Sequence, residues 1–313
     1  MIMRVLRRIF AGLILAAIVV GTVVLLKSGH YDVLQTNGVV AERQRQLLIF
    51  TLLLSAVVVG PVFFMLGLFA WKYRASRKPS KKARYTPEWA SNRTLETIWW
   101  GIPIAIISVL AVVTWVTSHE LDPYKAIASS REPLEVQVVA LEWKWLFIYP
   151  DLGIATLNQL PVEVNRPILF SLTADAPMSA FWIPTLGSQI YTMNGMSSQL
   201  NLMATNTGDF MGYTTNINGR GYADMKFVTH SMTKEAFAAW VKQAKNTDAI
   251  MDEAAYLKLT TPTTNDGEKV YRLTDSNLYN TAVMKYMKAT EQKPQDDHTK
   301  TDVDHTMNTM EGM

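Results

Sequence analysis

Residues 134–151 read LEVQVVALEWKWLFIYPD. In the first half, Leu134, Val136, Val138 and Ala140 alternate with Glu135, Gln137 and Val139. A period of two is the mark of a half-buried β-strand. Trp143 to Tyr149 forms a second apolar run, which stops at Pro150-Asp151, a pair that ends strands. Trp143 and Trp145, two residues apart, fall on one face of that strand. This stretch predicts an all-β unit in the second half of the chain.

Downstream, further short strands are predicted at Ile154 to Leu160, Ile168 to Thr173, Ser188 to Thr192, Gln199 to Ala204 and Met225 to Thr229, with Gly, Pro, Asn and Asp between them. Short strands so punctuated indicate a sandwich or barrel. After Ser231 the period turns helical: Thr233 is an N-cap candidate, and Phe237, Trp240, Val241 and Ala244 share one helix face. Two shorter helical stretches follow, around Ala249 to Lys258 and Asn277 to Ala289. From Glu291 the chain is polar, and a disordered tail is expected there. His298, His305, Met307, Met310 and Met313 in it read as a solvated tail.

Upstream, Ile9–Leu26, Leu47–Trp71 and Thr97–Ser118 are uncharged runs of 18, 25 and 22 residues. A helix of about 20 apolar residues crosses a bilayer core. The first run follows Arg4, Arg7 and Arg8, the layout of a signal peptide or signal anchor. Between the second and third runs lie Lys72, Arg74, Arg77, Lys78, Lys81, Lys82, Arg84 and Arg93, opposed only by Glu88. Positive loops stay in the cytoplasm. The β unit after Ser118 is therefore expected in the periplasm of a bacterial inner-membrane, multi-pass protein.

Composition agrees: 49% of the 313 residues are hydrophobic, and they are clumped. A net charge of +3 carries no nucleic-acid footprint. The absence of Cys excludes disulfides, thiolate metal sites, iron–sulfur clusters and a Cys nucleophile. These properties alone describe an anchored periplasmic module. They leave a redox subunit, a sensor and a binding module open.

A set of motifs in order narrows the choice. They are Ala70-Trp71-Lys72-Tyr73-Arg74-Ala75-Ser76; Glu96 with Trp100 and Pro103; Trp143 to Pro150; Phe181-Trp182-Ile183-Pro184 with Leu186-Gly187-Ser188-Gln189-Ile190-Tyr191; and Gly221-Tyr222 with Met225-Lys226-Phe227. From about Val40 to about Lys288 the chain resembles subunit II of the haem–copper oxidases, in the ubiquinol oxidase branch of cytochrome bo type. The resemblance implies a membrane helical hairpin followed by a cupredoxin-like sandwich with C-terminal helices.

In the cytochrome c oxidase members of that family the sandwich holds two coppers. Their ligands are an early His and a loop of the form C-S-E-x-C-G-x-x-H-x-x-M. Here the early His position is Ser179, the Cys positions are Thr214 and Asn218, the Glu is Asn216 and the second His is Tyr222; only Met225 remains. Copper sites need thiolate, imidazole and thioether ligands. No metal or cofactor is therefore expected in this chain, and Met225 reads as core filler. Nor is cytochrome c expected as a donor, because the copper pair is where it delivers electrons.

The resemblance places haem and copper in a partner, subunit I, with further small membrane subunits, and makes ubiquinol the substrate of the complex. The complex would be a proton-translocating quinol:oxygen oxidoreductase. The competing expectation is a membrane-anchored cupredoxin-like binding module outside any oxidase. Glu96 opens the third apolar run. A carboxylate there suits a helix N-terminus, and an acidic group at membrane depth also suits an ion path. In the family the matching Glu lies where protons enter from the cytoplasm, which makes Glu96 the expected functional residue. For Trp143 and Trp145 the expectation is packing in the sandwich or against subunit I.

His30 stands where relatives carry a lipidated Cys, so no thioether forms at that position and an uncleaved N-terminal helix is predicted. The expected division is a signal peptide or anchor at 1–30, a helical hairpin at 31–120 with a basic loop at 72–96, a copper-free cupredoxin-like domain at 121–231, a helical segment at 232–290 and a tail at 291–313.

Overall fold

In a computed structural model the described residues are 20–21, 34–74, 88 and 90–291. Most of the first apolar run, His30, most of the basic loop and the His/Met tail after 291 lie outside them. Two long helices come first, α1 (Val39–Lys72) and α2 (Arg93–Glu120). Both are long and apolar enough to span a bilayer, and neither apolar window is buried inside the protein. They form the membrane hairpin. Pro61 and Pro103 lie inside the helices, which membrane helices tolerate.

Helix α1 starts eight residues before the uncharged run because its first turns dock on the β domain. Asn37 N donates to Thr185 O at 2.7 Å, Ala41 N to Leu186 O at 3.0 Å and Thr205 N to Asn37 O at 2.7 Å. The approach is close: a Cβ on Gly38 would lie 2.7 Å from Leu186 O, and one on Gly187 (φ 132°) 2.7 Å from Val40. Membrane and periplasmic parts are thus joined by backbone hydrogen bonds across a glycine-lined seam.

The β domain is a two-sheet, cupredoxin-like sandwich. Its strands are β1 (Leu134–Leu141), β2 (Lys144–Tyr149), β3 (Ile154–Leu157), β4 (Gln159–Glu163), β5 (Ile168–Ala174), β6 (Ser179–Ile183), β7 (Gly187–Thr192), β8 (Ser198–Leu202), β9 (Gly208–Thr214) and β10 (Lys226–Met232). Then come α3 (Lys234–Lys245), β11 (Ile250–Met251), α4 (Glu253–Leu259), β12 (Lys269–Leu273) and α5 (Leu278–Glu291). The larger sheet runs β11-β12-β3-β2-β1-β5-β8, and the smaller β4-β10-β9-β6-β7. Strands β1 and β5 are parallel, with Leu134 opposite Ile168 and Ala140 opposite Ala174.

Between the sheets lies an aromatic core. The rings of Phe181 and Phe227 stack at 5.2 Å, and Trp145 meets Phe181 edge-on at 5.4 Å. Gly212 makes room for this, since a Cβ there would overlap the Phe227 ring at 2.0 Å. Tyr149 reaches across to donate to Pro161 O at 2.9 Å, and burial pushes its phenol up.

The segment 232–290 departs from the helical expectation. Besides α3, α4 and α5 it supplies β11 and β12 to the larger sheet. It covers that sheet's outer face: Met251 of β11 and Tyr256, Leu278, Tyr279 and Ala282 of the helices cluster with Val139, Leu141, Leu146 and Ile148. A sheet buried on both faces loses its polar alternation, which explains why Val139 and the whole of β2 are apolar or buried. Thr233 caps α3 as expected, accepting from Ala236 N. Strands β6, β9, β11 and β12 come in addition to those predicted.

Candidate functional site

Strand β9 ends at Thr214 and β10 begins at Lys226; residues 215–225 between them form the loop that carries Asn216, Asn218, Tyr222 and Met225, four of the positions expected to correspond to copper ligands. The fold brings two of the substituted positions together with the retained Met225. Asn218 Nδ2 donates to Ser179 Oγ at 2.8 Å and to Met225 Sδ at 3.2 Å, and Ser179 Oγ lies 3.9 Å from the same sulfur. Ser179 and Met225 are fully buried. Two other positions bond the backbone at the start of β6. Thr214 Oγ1 accepts from Ala180 N at 3.3 Å, and Asn216 Nδ2 donates to Met178 O at 2.7 Å. Tyr222 opens a single 3-10 turn, Tyr222–Asp224, which leads into Met225.

This donor set does not fit a copper pair. Copper requires thiolate and imidazole, and the positions hold two amides, two hydroxyls of Ser and Thr, a phenol and one thioether. Among the described residues no group of three or more His, Asp or Glu is placed to hold a metal ion. Met225 is a wholly buried hydrophobic residue beside Phe227 and Phe181 in the core.

Trp143 departs from the predicted strand. It is the second residue of the two-residue loop joining β1 to β2, with φ 62°. Gly or Asn ordinarily fills a turn position of positive φ, and a bulky residue there costs about 1–3 kcal/mol. Its indole lies against the 215–225 loop: a Cβ on Gly221 would be 2.2 Å from the ring and one on Gly219 3.3 Å. Trp143 Nε1 and Asn218 Oδ1 are both buried without a hydrogen-bond partner. Trp145, by contrast, is core packing. The two Trp residues therefore do different jobs.

Glu96 lies in the first turn of α2, half-buried. Asn92 caps the helix, accepting from Leu95 N at 3.1 Å, and Asn92 N donates to Glu96 Oε1 at 3.3 Å. This reciprocal pair resembles a capping box. It holds the carboxylate at the helix end that adjoins the basic loop.

Two further clusters escaped the sequence. The Asp175 carboxylate is fully buried and accepts from Tyr286 Oη at 2.6 Å, Tyr256 Oη at 2.7 Å and Lys285 Nζ at 2.7 Å. Burial and then the Asp175 bond push the Tyr256 phenol up, and together they push Tyr286 up to about 12. Lys144 is also buried; its Nζ donates to Thr261 O at 3.0 Å, to Thr263 Oγ1, and to Asp266 Oδ2 at 3.1 Å. Burial raises the Asp266 carboxyl, but bonds from Thr263 and Lys144 outweigh it and hold the group below its ordinary value.

No family model matches the chain. Its curated relatives are closer. It is 43% identical over 264 residues to the ubiquinol oxidase subunit 2 of Acetobacter aceti, covering 84% of this chain and 85% of that protein. It is 40% identical over 262 residues to the cytochrome bo(3) ubiquinol oxidase subunit 2 of Pseudomonas putida, covering 84% and 82%. With the quinol oxidase subunit 2 of Bacillus subtilis it shares 35% identity over 260 residues, 82% of this chain and 79% of that protein. The motifs, the sandwich and these relatives agree: the chain belongs to the ubiquinol oxidase subunit 2 family, in its cytochrome bo-type branch.

Proposed function

We propose that this chain is the non-redox subunit of a terminal quinol oxidase complex, which couples quinol oxidation to reduction of oxygen to water and to proton translocation. One observation carries this reading: the former ligand loop keeps its place in the sandwich while hydrogen-bonding side chains fill it. Electrons then bypass this chain and pass through haem and copper in subunit I. The chain contributes the membrane hairpin and the periplasmic cap.

Glu96 is the residue proposed to take up protons. Its support is position: a half-buried carboxylate at the cytoplasmic end of a membrane helix, fixed by Asn92. Acidic groups at such depth are costly and sit on ion paths. In the assembled oxidase, Glu96→Ala is expected to slow turnover and proton pumping by about a hundredfold, the low end of a lost proton-transfer group. Glu96→Gln keeps an acceptor for Asn92 N–H but cannot carry a proton, so it separates helix capping from proton uptake. Unchanged turnover and pumping in Glu96→Gln would sink the assignment.

The domain division proposed with it is a signal peptide or signal anchor at 1–30, a membrane hairpin at 31–120, a copper-free sandwich at 121–231, a cap at 232–290 and a tail at 291–313. The cap includes strands as well as helices.

A further inference from the structure

Helices α1 and α2 meet along a narrow stripe, where Leu47 and Leu54 on one and Ile106, Leu110, Val113 and Thr117 on the other are half-buried, and an exposed ion pair, Arg43 to Glu120 at 3.4 Å, links them at the periplasmic end. Below it lies a cleft of about 420 Å³ lined by Leu47, Phe50, Thr51, Leu110, Val113 and Thr117, among others. Three of its four hydroxyls are turned away. Thr51 Oγ1 donates to Leu47 O at 2.9 Å, Thr117 Oγ1 to Val113 O at 2.7 Å and Ser118 Oγ to Trp115 O at 3.0 Å. These are satisfied within their own helices, so Thr114 is the one remaining hydroxyl in an otherwise largely apolar slot. From Leu121 to Leu110 it descends about 16 Å at 1.5 Å per helical residue, the reach of one extended acyl chain in one leaflet.

A second cleft of about 260 Å³ opens above, and the two share Leu121, Asp122 and Pro123. This mouth is polar. Arg43 and Lys125 bring two positive charges, and Glu120 and Asp122 two negative ones. The Arg43–Glu120 pair is solvent-exposed, with side chains 55% and 45% accessible, and such pairs hold weakly and exchange partners at little cost. An apolar slot at membrane depth, continuous with an interfacial mouth bearing charges of both signs, matches one kind of molecule.

We propose that the groove between α1 and α2 binds a zwitterionic phospholipid of the outer leaflet, of the phosphatidylethanolamine type. One acyl chain lies along Leu110 and Val113. The phosphate meets Arg43 and Lys125, and the ammonium meets Glu120 and Asp122. The lipid fills the gap that the helices leave, and ties the hairpin to the seam where α1 enters the sandwich.

The test uses the purified oxidase complex in mild detergent. A diazirine-tailed phosphatidylethanolamine is expected to cross-link the wild-type chain at Leu110, Val113 or their groove neighbours; cross-links confined to other surfaces overturn the proposal. In native mass spectrometry, one tightly held phosphatidylethanolamine per chain is expected. Leu110→Trp, which fills the slot, should abolish it. Arg43→Gln with Lys125→Gln should weaken it by about tenfold or more, since each interfacial cation contributes on the order of 1 kcal/mol. Retention unchanged in both variants, or equal retention of phosphatidylglycerol by the wild type, contradicts it. Co-purified haem reports that each variant assembles, and the cross-link on wild type stands whether or not they do.

Discussion

Two buried polar clusters stand at the two ends of one short connection, the link between β5 and β6. At its far end Ser179 joins Asn218 and Met225; at its near end Asp175 joins Tyr256, Lys285 and Tyr286. The first is neutral, uses a weak sulfur acceptor and leaves Asn218 Oδ1 orphaned. The second is charged, short and well supplied with donors, and charge-assisted bonds are about twice as strong as neutral ones. The contrast shows where rigidity resides. The 215–225 loop rests on neutral groups and a strained Trp, while a carboxylate pins the C-terminal cap onto the sheet.

That difference can be broken from the charged side first. Asp175→Ala leaves two phenols and an ammonium without their acceptor, and removing one partner of a buried pair costs about 3–5 kcal/mol. Because Lys285 is 46% exposed and can return to water, the loss is expected near about 3 kcal/mol. It should appear as a lowered thermal midpoint and as early proteolysis within 250–290. Insensitivity of both would show that the apolar contacts of α4 and α5 suffice alone.

On the loop side the expected effects are smaller. Gly221→Ala drives a methyl into the Trp143 ring, and such overpacking costs about 1–3 kcal/mol. Thermal unfolding checks the size, and Trp fluorescence reports the indole's movement. Met225→Leu conserves volume and should cost less than about 1.5 kcal/mol, with oxidase turnover unchanged. A large turnover loss in Met225→Leu would give the thioether a function that this account denies it.

Acid sharpens a third contact. Asp266 is held below its ordinary value in the folded chain. A depressed carboxyl contributes stability that is complete above its unfolded value, about 3.9, and is lost as pH falls through the folded one. The Lys144 clasp on residues 261–266 should therefore hold at neutral pH and release below about pH 4. Asp266→Asn should flatten that acid dependence in proteolysis of the loop.

Much of the fold was legible in local pattern. The uncharged runs fixed both membrane helices, and alternation fixed β1, β5 and β10. Strand β9 was not legible, because its GDFMGYT carries two Gly, one of which exists only to admit the Phe227 ring. Trp143 was placed in a strand because period-two spacing cannot reveal a positive φ. The ligand-loop substitutions were legible through motif order, whereas their mutual hydrogen bonds were not. Asp175 gave no local signal at all: its partners are 81, 110 and 111 residues away. Lys144 was hidden inside an apolar run, and its acceptors lie in a distant loop.

Electrons, on the proposed function, pass this chain by. Metal and haem analysis of the complex, purified in mild detergent and then separated into subunits, tests it most directly. The account predicts that the chain co-purifies with a haem-bearing partner that oxidises quinol, and that once separated it carries neither copper nor haem, even after incubation with copper. Copper remaining with this chain in stoichiometric amount, or purification of the chain without any haem partner, would contradict it.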